Sequence, residues 1–179
     1  MVEGLPGNVM NAISWINQRR KCNEKGCSEY GSLCSHHSPS KVVICGHNVK
    51  GFDLPVIVNN IIREGEINLV QNSATGEDGM SKLPLTHVVD TLDLVKDQEL
   101  WKKAKINLPK ENNKLGALYE HALSKKIENA HSALGDVKAN LELLLCLDED
   151  LVYTMSKIES FTEWLKTHLR TSTFVKDYV

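Results

Sequence analysis

A histidine and an aspartate stand five positions apart at the start of an apolar run, in the stretch HSALGDVKAN (131–140). If a helix begins near Ser132, His131 precedes it and Asp136 lies one turn in, so that both side chains face one small volume. Metal-assisted hydrolysis of a phosphodiester needs such a grouping, because carboxylates hold the divalent ions that bridge a phosphate and a base takes a proton from water. An incidental histidine before a helix with an acidic first turn is the alternative, and the residue types leave both interpretations open.

A second acidic candidate lies in GHNVKGFDLP (46–55), which follows the apolar run KVVIC. This run predicts a buried strand, and the chain then enters a predicted helix at Asp53. Asp53 would therefore lie near the carboxyl end of a strand, where open α/β sheets place their sites. An aspartate at a helix start is also a common cap that complements the helix dipole. Both a ligand role and a capping role remain open for Asp53.

A polar segment, residues 21–40, carries a candidate zinc site. Its cysteines and histidines are Cys22, Cys27, Cys34, His36 and His37. Structural zinc needs four nitrogen or sulfur ligands, which Cys22, Cys27, Cys34 and His36 would supply. The spacing contains no C-x₂-C pair and matches no known zinc knuckle, so that reduced thiols in a loop are the alternative.

Two further polar groups favour a structural interpretation. Asp90 and Asp93 follow an apolar run and are predicted to cap the next helix. The segment KDQELWKKAK (96–105) has four lysines around Trp101, which would allow contact with a nucleic-acid backbone and base stacking. A solvated helix face is the favoured interpretation, because the net charge of the chain is only −2.

The elements that must position these residues alternate between strands and helices, which predicts an α/β layer fold. In chain order the pattern predicts a helix (7–20), a loop (21–40), a strand (41–46), a helix (52–65), a loop (67–86), a strand that runs into a helix (86–95) and three more helices (111–123, 131–150 and 150–170). Asn112 or Asn113 is expected near the start of the helix over 111–123, and Gly65 is expected to end the helix over 52–65.

Two helices show an apolar stripe that we expect to face the core. In the helix over 131–150 the stripe consists of Leu134, Val137, Leu141, Leu144 and Leu145. In the last helix it consists of Leu151, Met155, Ile158, Phe161 or Thr162, Leu165 and Leu169. The second stripe favours a helix packed on the domain over a membrane or partner helix.

Composition excludes several classes of protein. The chain has 179 residues, enough for one domain with a real core. Its net charge of −2 argues against a bulk electrostatic hold on nucleic acid, so that any such binding would be local. No apolar run reaches the length of a membrane span and the N-terminus does not resemble a signal peptide. Five cysteines without such a signal favour an intracellular setting, nucleus or cytoplasm.

Two stretches, CGHNVKGFDLPVI (45–57) and HSALGDVKANLELLL (131–145), resemble the second and third exonuclease motifs of the DnaQ-like DEDDh 3′→5′ exonucleases. The three-prime repair exonuclease branch and the exonuclease-like domain of promyelocytic leukaemia proteins are the nearest in character. Between the motifs, VVDTLDL (88–94) and NKLGALYEHAL (113–123) are similar to the strand-to-helix step and the helix that the family has there. The resemblance covers residues 41–147.

The resemblance implies a ribonuclease H-like fold, a divalent metal and named roles. Asp53 and Asp136 match the family's metal ligands and His131 matches its general base, while His47 and Asn48 match a polar pair that shapes the substrate site. The implied cofactor is Mg²⁺ or Mn²⁺. The implied partner is the 3′ end of a nucleic acid, with single-stranded DNA expected, and the implied products are nucleoside monophosphates.

The family's first motif, Asp-x-Glu on the first strand, has no counterpart upstream, since Asp53 is the first aspartate of the chain. We therefore expect an α/β exonuclease fold that lacks its N-terminal strands and has an extra C-terminal helix. The expected organisation is a helix (1–20), a loop (21–40), an exonuclease-like core (41–147) and a C-terminal helix with a tail (148–179).

Loss of the first strands has two consequences. Two carboxylates, Asp53 and Asp136, would support at most one weakly held Mg²⁺, completed by a substrate phosphate. The sheet edge beside KVVIC would be open, so that a homodimer or another chain is expected to cover it. The alternative to a working nuclease is a catalytically inactive exonuclease-like scaffold that acts as a nucleic-acid or protein interaction module.

Overall fold

The computed structural model describes residues 42–75, 83, 85–109 and 113–171, and in these residues the chain forms a three-stranded sheet and eight helices. The elements are β1 (Val43–Gly46), α1 (Asp53–Arg63), α2 (Ile67–Thr75), β2 (His87–Asp90), α3 (Thr91–Leu94), α4 (Gln98–Lys103), α5 (Leu115–Leu123), α6 (Ala133–Leu147), α7 (Val152–Ser156), β3 (Glu159–Ser160) and α8 (Phe161–Thr171). The predicted mixed α/β class is confirmed. The predicted helix over 7–20, the loop over 21–40 and the candidate zinc ligands lie outside the described residues.

The sheet has the order β1-β2-β3, so that β2 is central and β1 lies at an edge of the described sheet. Both strands predicted in this part of the chain are present. Val88 and Val89 are buried in β2, as expected for β-branched residues in a central strand. Thr86, just before β2, donates its backbone N–H to the Val42 carbonyl at 3.0 Å and accepts the Phe161 N–H at 3.0 Å.

The chain divides into two compact units, and the first is built from α1, α2, β3 and α8. α1 buries apolar residues at helical spacing: Leu54, Val58, Ile61 and Ile62. It ends at Arg63, and Gly65, the predicted stop, follows with a φ of 84° and donates its N–H to the Ile62 carbonyl at 3.0 Å. α2 packs against α1 and α8, whose Phe161 and Leu165 are buried.

The second unit contains residues 44–52 and 88–158, and therefore α3 to α7. α5 packs along α6, and their buried residues include Leu118 and Leu143. Trp101 in α4 is also buried, and its indole Nε1 donates to the Val95 carbonyl at 2.7 Å. Its flat faces are therefore part of the core, and the alternative of a stacking platform for bases is wrong. The neighbouring Lys102 and Lys103 are exposed, as a solvated helix face requires.

The segment 67–86 was expected to be mostly loop, and α2 corrects this expectation over Ile67–Thr75. Polar residues suggested a loop, but the hydroxyl of Ser73 is satisfied inside the helix. It donates to the Leu69 carbonyl at 2.7 Å and accepts the Leu83 N–H at 2.9 Å. Because the buried hydroxyl has partners, it does not oppose helix formation at this place.

A single helix over 150–170 is also wrong, since the chain forms α7, β3 and α8 instead. Leu151 has a φ of 54°, which no helix interior accepts, and it separates α6 from α7. Of the predicted stripe, Phe161 and Leu165 are buried, whereas Met155 is exposed. The short strand β3 pairs with the sheet, and this tertiary contact breaks the helical pattern.

The apolar stripe predicted for α6 faces away from the core. Four of its five members are exposed, to 65% at Leu134, 65% at Val137, 51% at Leu141 and 41% at Leu145. The buried face carries Gly135, Ala139, Asn140, Leu143, Leu144 and Leu147. α6 therefore has two apolar faces. Helical periodicity identifies both, but it does not indicate which one packs against the neighbouring helix.

The start of α5 differs slightly from its prediction. The residue before its first turn is Lys114, with no capping hydrogen bond from its side chain, whereas Asn112 or Asn113 was expected near the cap. Asn113 is exposed, and its carbonyl serves another contact described below. Among the described helices, none has both the length and the apolar character needed to cross a membrane.

Candidate functional site

The loop between β1 and α1, residues 47–52, is held by the carboxylate of Asp90 at the end of β2. Asp90 Oδ1 accepts the backbone N–H of Asn48 at 2.8 Å and Oδ2 accepts that of Lys50 at 3.0 Å. Oδ1 also accepts the N–H of Leu92 at 3.0 Å, which makes Asp90 the cap of α3. The predicted capping role of Asp90 is confirmed. The sequence analysis did not predict that Asp90 also holds the 47–52 loop. The signal it offered was an aspartate directly after an apolar run that predicts a strand.

The side chain of Lys50 lies 2.7 Å from Asp93, which adds an ion pair to the same loop. Asp93 also lies 3.7 Å from Lys96 on the next turn. Both pairs are at the surface, where they contribute little to stability. Asp93 lies within the first turn of α3 and pairs with lysines, so that its predicted capping role is wrong and Asp90 alone is the cap.

His47 belongs to the second unit, where both nitrogens of its ring have polar neighbours. Nε2 lies 2.8 Å from the Asn113 carbonyl and must donate to it, because a carbonyl only accepts. Nδ1 lies 3.3 Å from the hydroxyl of Thr91, which in turn donates to Asn140 Oδ1 at 2.7 Å. These contacts connect the loop to the start of α3, to α6 and to the segment before α5. They give His47 a positioning role within the loop.

Asn48 supplies the turn of this loop. It has a φ of 61°, a conformation that asparagine tolerates better than most residues, and its carbonyl accepts the N–H groups of Gly51 and Phe52. Asn48 is exposed. Both backbone polar groups of Asn48 are therefore hydrogen-bonded, although the residue as a whole is exposed to solvent.

Asp53 begins α1 as predicted and lies exposed in the first turn of this helix. Its negative charge complements the positive end of the α1 dipole, as either of its predicted roles allows. It belongs to the first of the two compact units, in which α1 buries Leu54 directly after it.

His131 and Asp136 lie side by side at the start of α6. The backbone N–H of His131 donates to Asp136 Oδ1 at 3.3 Å. His131 is exposed, with a φ of 68°, and Asp136 is half-buried in the first helical turn. Ser132 caps the helix, since its Oγ accepts the Gly135 N–H at 3.0 Å. The predicted helix start and the proximity of the two residues are therefore both present.

Gly135 allows the turn that carries His131 to pack against α6. A Cβ at this position would lie 2.5 Å from the Asn129 carbonyl oxygen and 2.8 Å from that of Glu128. Any larger residue would push the 128–131 turn away from the helix. Sequence reasoning treated Gly135 as part of a motif only, and its contact with this turn was not predicted.

The predicted metal ligands Asp53 and Asp136 are not joined by a third donor within the part of the chain that the structure describes. Among the described residues, no three histidine, cysteine, aspartate or glutamate side chains are placed to hold one metal ion. Carboxylate oxygens are the ligands that Mg²⁺ and Mn²⁺ prefer, but a two-metal centre needs several of them together.

Comparison with known proteins gives no match, whether the chain is set against family models, curated proteins or solved structures.

Proposed function

We propose that this chain is an exonuclease-type domain that hydrolyses the terminal phosphodiester at the 3′ end of a nucleic acid, with single-stranded DNA as the expected substrate. Its α/β fold would be a ribonuclease H-like arrangement. The observation that carries this proposal is the pairing of His131 with Asp136 at the start of α6. The order of the two motifs along the chain, with Asp53 upstream, is its second support.

In this proposal His131 accepts a proton from the attacking water. Its exposed position leaves room for water and for a substrate end beside it. Asp136 positions His131, because the carboxylate accepts the backbone N–H of that residue and fixes the turn. His47 shapes the neighbouring loop through its contacts with Thr91 and Asn113. The assay compares Mg²⁺, Mn²⁺ and EDTA, and the proposal gives the metal no step of its own.

Degradation of a 5′-labelled single-stranded DNA by the full chain, with Mg²⁺, Mn²⁺ or EDTA, tests this function. The variants are His131→Ala and Asp136→Ala, which removes the carboxylate that accepts the His131 N–H. Glu120→Gln is the matched control, since Glu120 is exposed on α5 and belongs to neither motif. We expect a ladder from the 3′ end with wild type and Glu120→Gln, and its loss in the two site variants.

Two results would contradict the proposal. A wild-type chain that leaves the DNA intact with either metal is not a nuclease, provided that circular dichroism shows it to be folded. A ladder that persists in His131→Ala places the activity elsewhere in the chain or in a contaminant. RNA of the same sequence, tested in parallel, distinguishes the substrate class.

A catalytically inactive scaffold that acts as an interaction module is the second candidate function. The exposed apolar stripe on α6 favours it, because four large apolar side chains on successive helical turns typically mark a contact surface. Such a module would bind a partner with or without an intact His131. The two candidates are therefore separated by whether activity or binding depends on that residue.

A further inference from the structure

The exposed stripe of α6, which consists of Leu134, Val137, Leu141 and Leu145, is arranged symmetrically about the middle of the helix. If two copies of α6 pack in opposite directions, Leu134 of one copy lies opposite Leu145 of the other. Val137 then lies opposite Leu141, and each apolar side chain of one stripe meets an apolar side chain of the second. The stripe is therefore complementary to itself when the helices are antiparallel.

The charges beside the stripe have the same symmetry. Lys138 and Glu142 are both exposed and lie one turn apart on one flank of the stripe. In an antiparallel pair the same flanks of the two helices face each other, so that Lys138 approaches Glu142 of the second copy and Glu142 approaches its Lys138. In a parallel pair, Lys138 and Glu142 of one helix would instead face the other side of the stripe on the second helix. Asn140 and Leu144 lie on that side, both buried, and neither carries a charge.

The carboxylate of Glu142 is already held in place. It accepts Lys125 Nζ at 2.7 Å and the hydroxyl of Tyr119, both from the side of α5. A carboxylate has further lone pairs, so that it can accept a second cation from another chain. Its fixed position lowers the entropy lost when Lys138 of a second copy pairs with it.

From these features we propose that the α6 stripe is the interface of a homodimer, in which two α6 helices pack antiparallel with reciprocal Lys138–Glu142 pairs. This surface differs from the sheet edge at which the sequence predicted a partner. The proposal rests on α6 alone and stands whether or not the chain hydrolyses nucleic acid. The interface is smaller than a standard one, so that we expect dissociation in the micromolar range.

Sedimentation velocity of the full chain over about 2 to 200 µM, a range that brackets micromolar dissociation, tests the dimer. We expect wild type to shift from monomer to dimer with concentration. Leu141→Lys places a charge at the centre of the stripe and is expected to weaken the dimer by about tenfold or more. Val152→Lys is the matched control, because Val152 is an equally exposed apolar residue on α7, and it should leave the dimer unchanged.

The orientation of the helices is tested by charge exchange. Lys138→Glu places glutamates opposite each other across the two-fold axis and should weaken the dimer, and Glu142→Lys should do the same with lysines. The double variant Lys138→Glu, Glu142→Lys restores opposite charges only in the antiparallel pair, so that it should recover dimerisation. Circular dichroism of each variant confirms that the fold is retained.

A wild-type chain that stays monomeric across the range overturns the proposal, as does a dimer that Leu141→Lys leaves intact. A dimer that is lost in Leu141→Lys but is insensitive to the charge variants overturns the antiparallel arrangement. Because sedimentation reads association and not hydrolysis, failure here is distinct from failure of the nuclease assay.

Discussion

The carboxylate of Asp90 holds the backbone of Asn48, a residue 42 positions earlier in the chain, through a hydrogen bond of 2.8 Å. The same carboxylate accepts the N–H of Lys50, and together these bonds fix the loop that leads from β1 toward Asp53. One buried side chain at a strand end therefore positions the segment that leads into α1.

Asp90→Ala removes the acceptor of three backbone N–H groups, two in this loop and one in α3. Each of these N–H groups loses a hydrogen bond to a buried, charged carboxylate. We therefore expect a loss of about 2–3 kcal/mol in the free energy of unfolding. Urea denaturation followed by circular dichroism measures it. Asp93→Ala is the control, since Asp93 forms only surface ion pairs, and its loss should stay under about 1 kcal/mol. Equal effects of the two substitutions would contradict the positioning role of Asp90.

Gly135→Ala introduces a Cβ into the contact between α6 and the turn that carries His131. The nearest carbonyl oxygen would be only 2.5 Å away, so that the turn must move, and we expect a loss of about 1–3 kcal/mol in stability. Gly116→Ala is the matched control in α5, where the nearest atom is 4.0 Å from the new Cβ. There alanine should stabilise the helix by up to about 1 kcal/mol. Urea denaturation measures both variants. A change of the unfolding free energy in the same direction for both would contradict the tight contact at Gly135.

The two apolar faces of α6 should respond differently to truncation. Leu143 is 0% exposed, so that Leu143→Ala is expected to lower the free energy of unfolding by about 2–5 kcal/mol. Leu141 is exposed, and Leu141→Ala should change the stability of the monomer by less than about 1 kcal/mol. Denaturation at low protein concentration keeps self-association out of the measurement. A larger loss at Leu141 than at Leu143 would reverse the assignment of the faces.

Asp148 makes the stability of the second unit dependent on pH. Burial by itself raises the pKa of this carboxyl, but hydrogen bonds from the N–H of Thr154 and from Lys103 outweigh burial and lower the pKa from 3.8 to about 2. A lowered pKa stabilises the folded chain above pH 4, and this contribution disappears as the pH falls from about 4 to about 2. The shift corresponds to roughly 2 kcal/mol.

Asp148→Asn tests this contribution by urea denaturation between pH 7 and pH 3. The variant should be less stable than wild type at pH 7, and the difference should shrink as the pH falls below about 4. Asp150→Asn serves as the control, because Asp150 is exposed, lies 3.4 Å from Lys103 and accepts the Val152 N–H at 3.2 Å, a bond that the asparagine oxygen can also accept. A difference that stays constant down to pH 3 would show that Asp148 contributes through packing instead of charge.

The sequence by itself predicted the elements that depend on local chemistry. β1, α1 and β2 occur where short apolar runs, a helix stop at Gly65 and a capping aspartate at Asp90 predict them. The close approach of His131 to Asp136 followed from helix geometry, since the two residues are separated by about one turn. Each of these features is set by residues within a few positions of one another.

Tertiary structure alone decided the features that depend on distant contacts. α2 includes Ser73, whose hydroxyl has partners at Leu69 and Leu83, and the last helical pattern is interrupted where β3 pairs with the sheet. The buried side of α6 is set by packing against α5, so that Leu143 is enclosed and Leu141 is exposed. Periodicity shows that a helix face is apolar, but burial of that face requires a neighbouring element. The sequence of the helix does not determine which element packs against it.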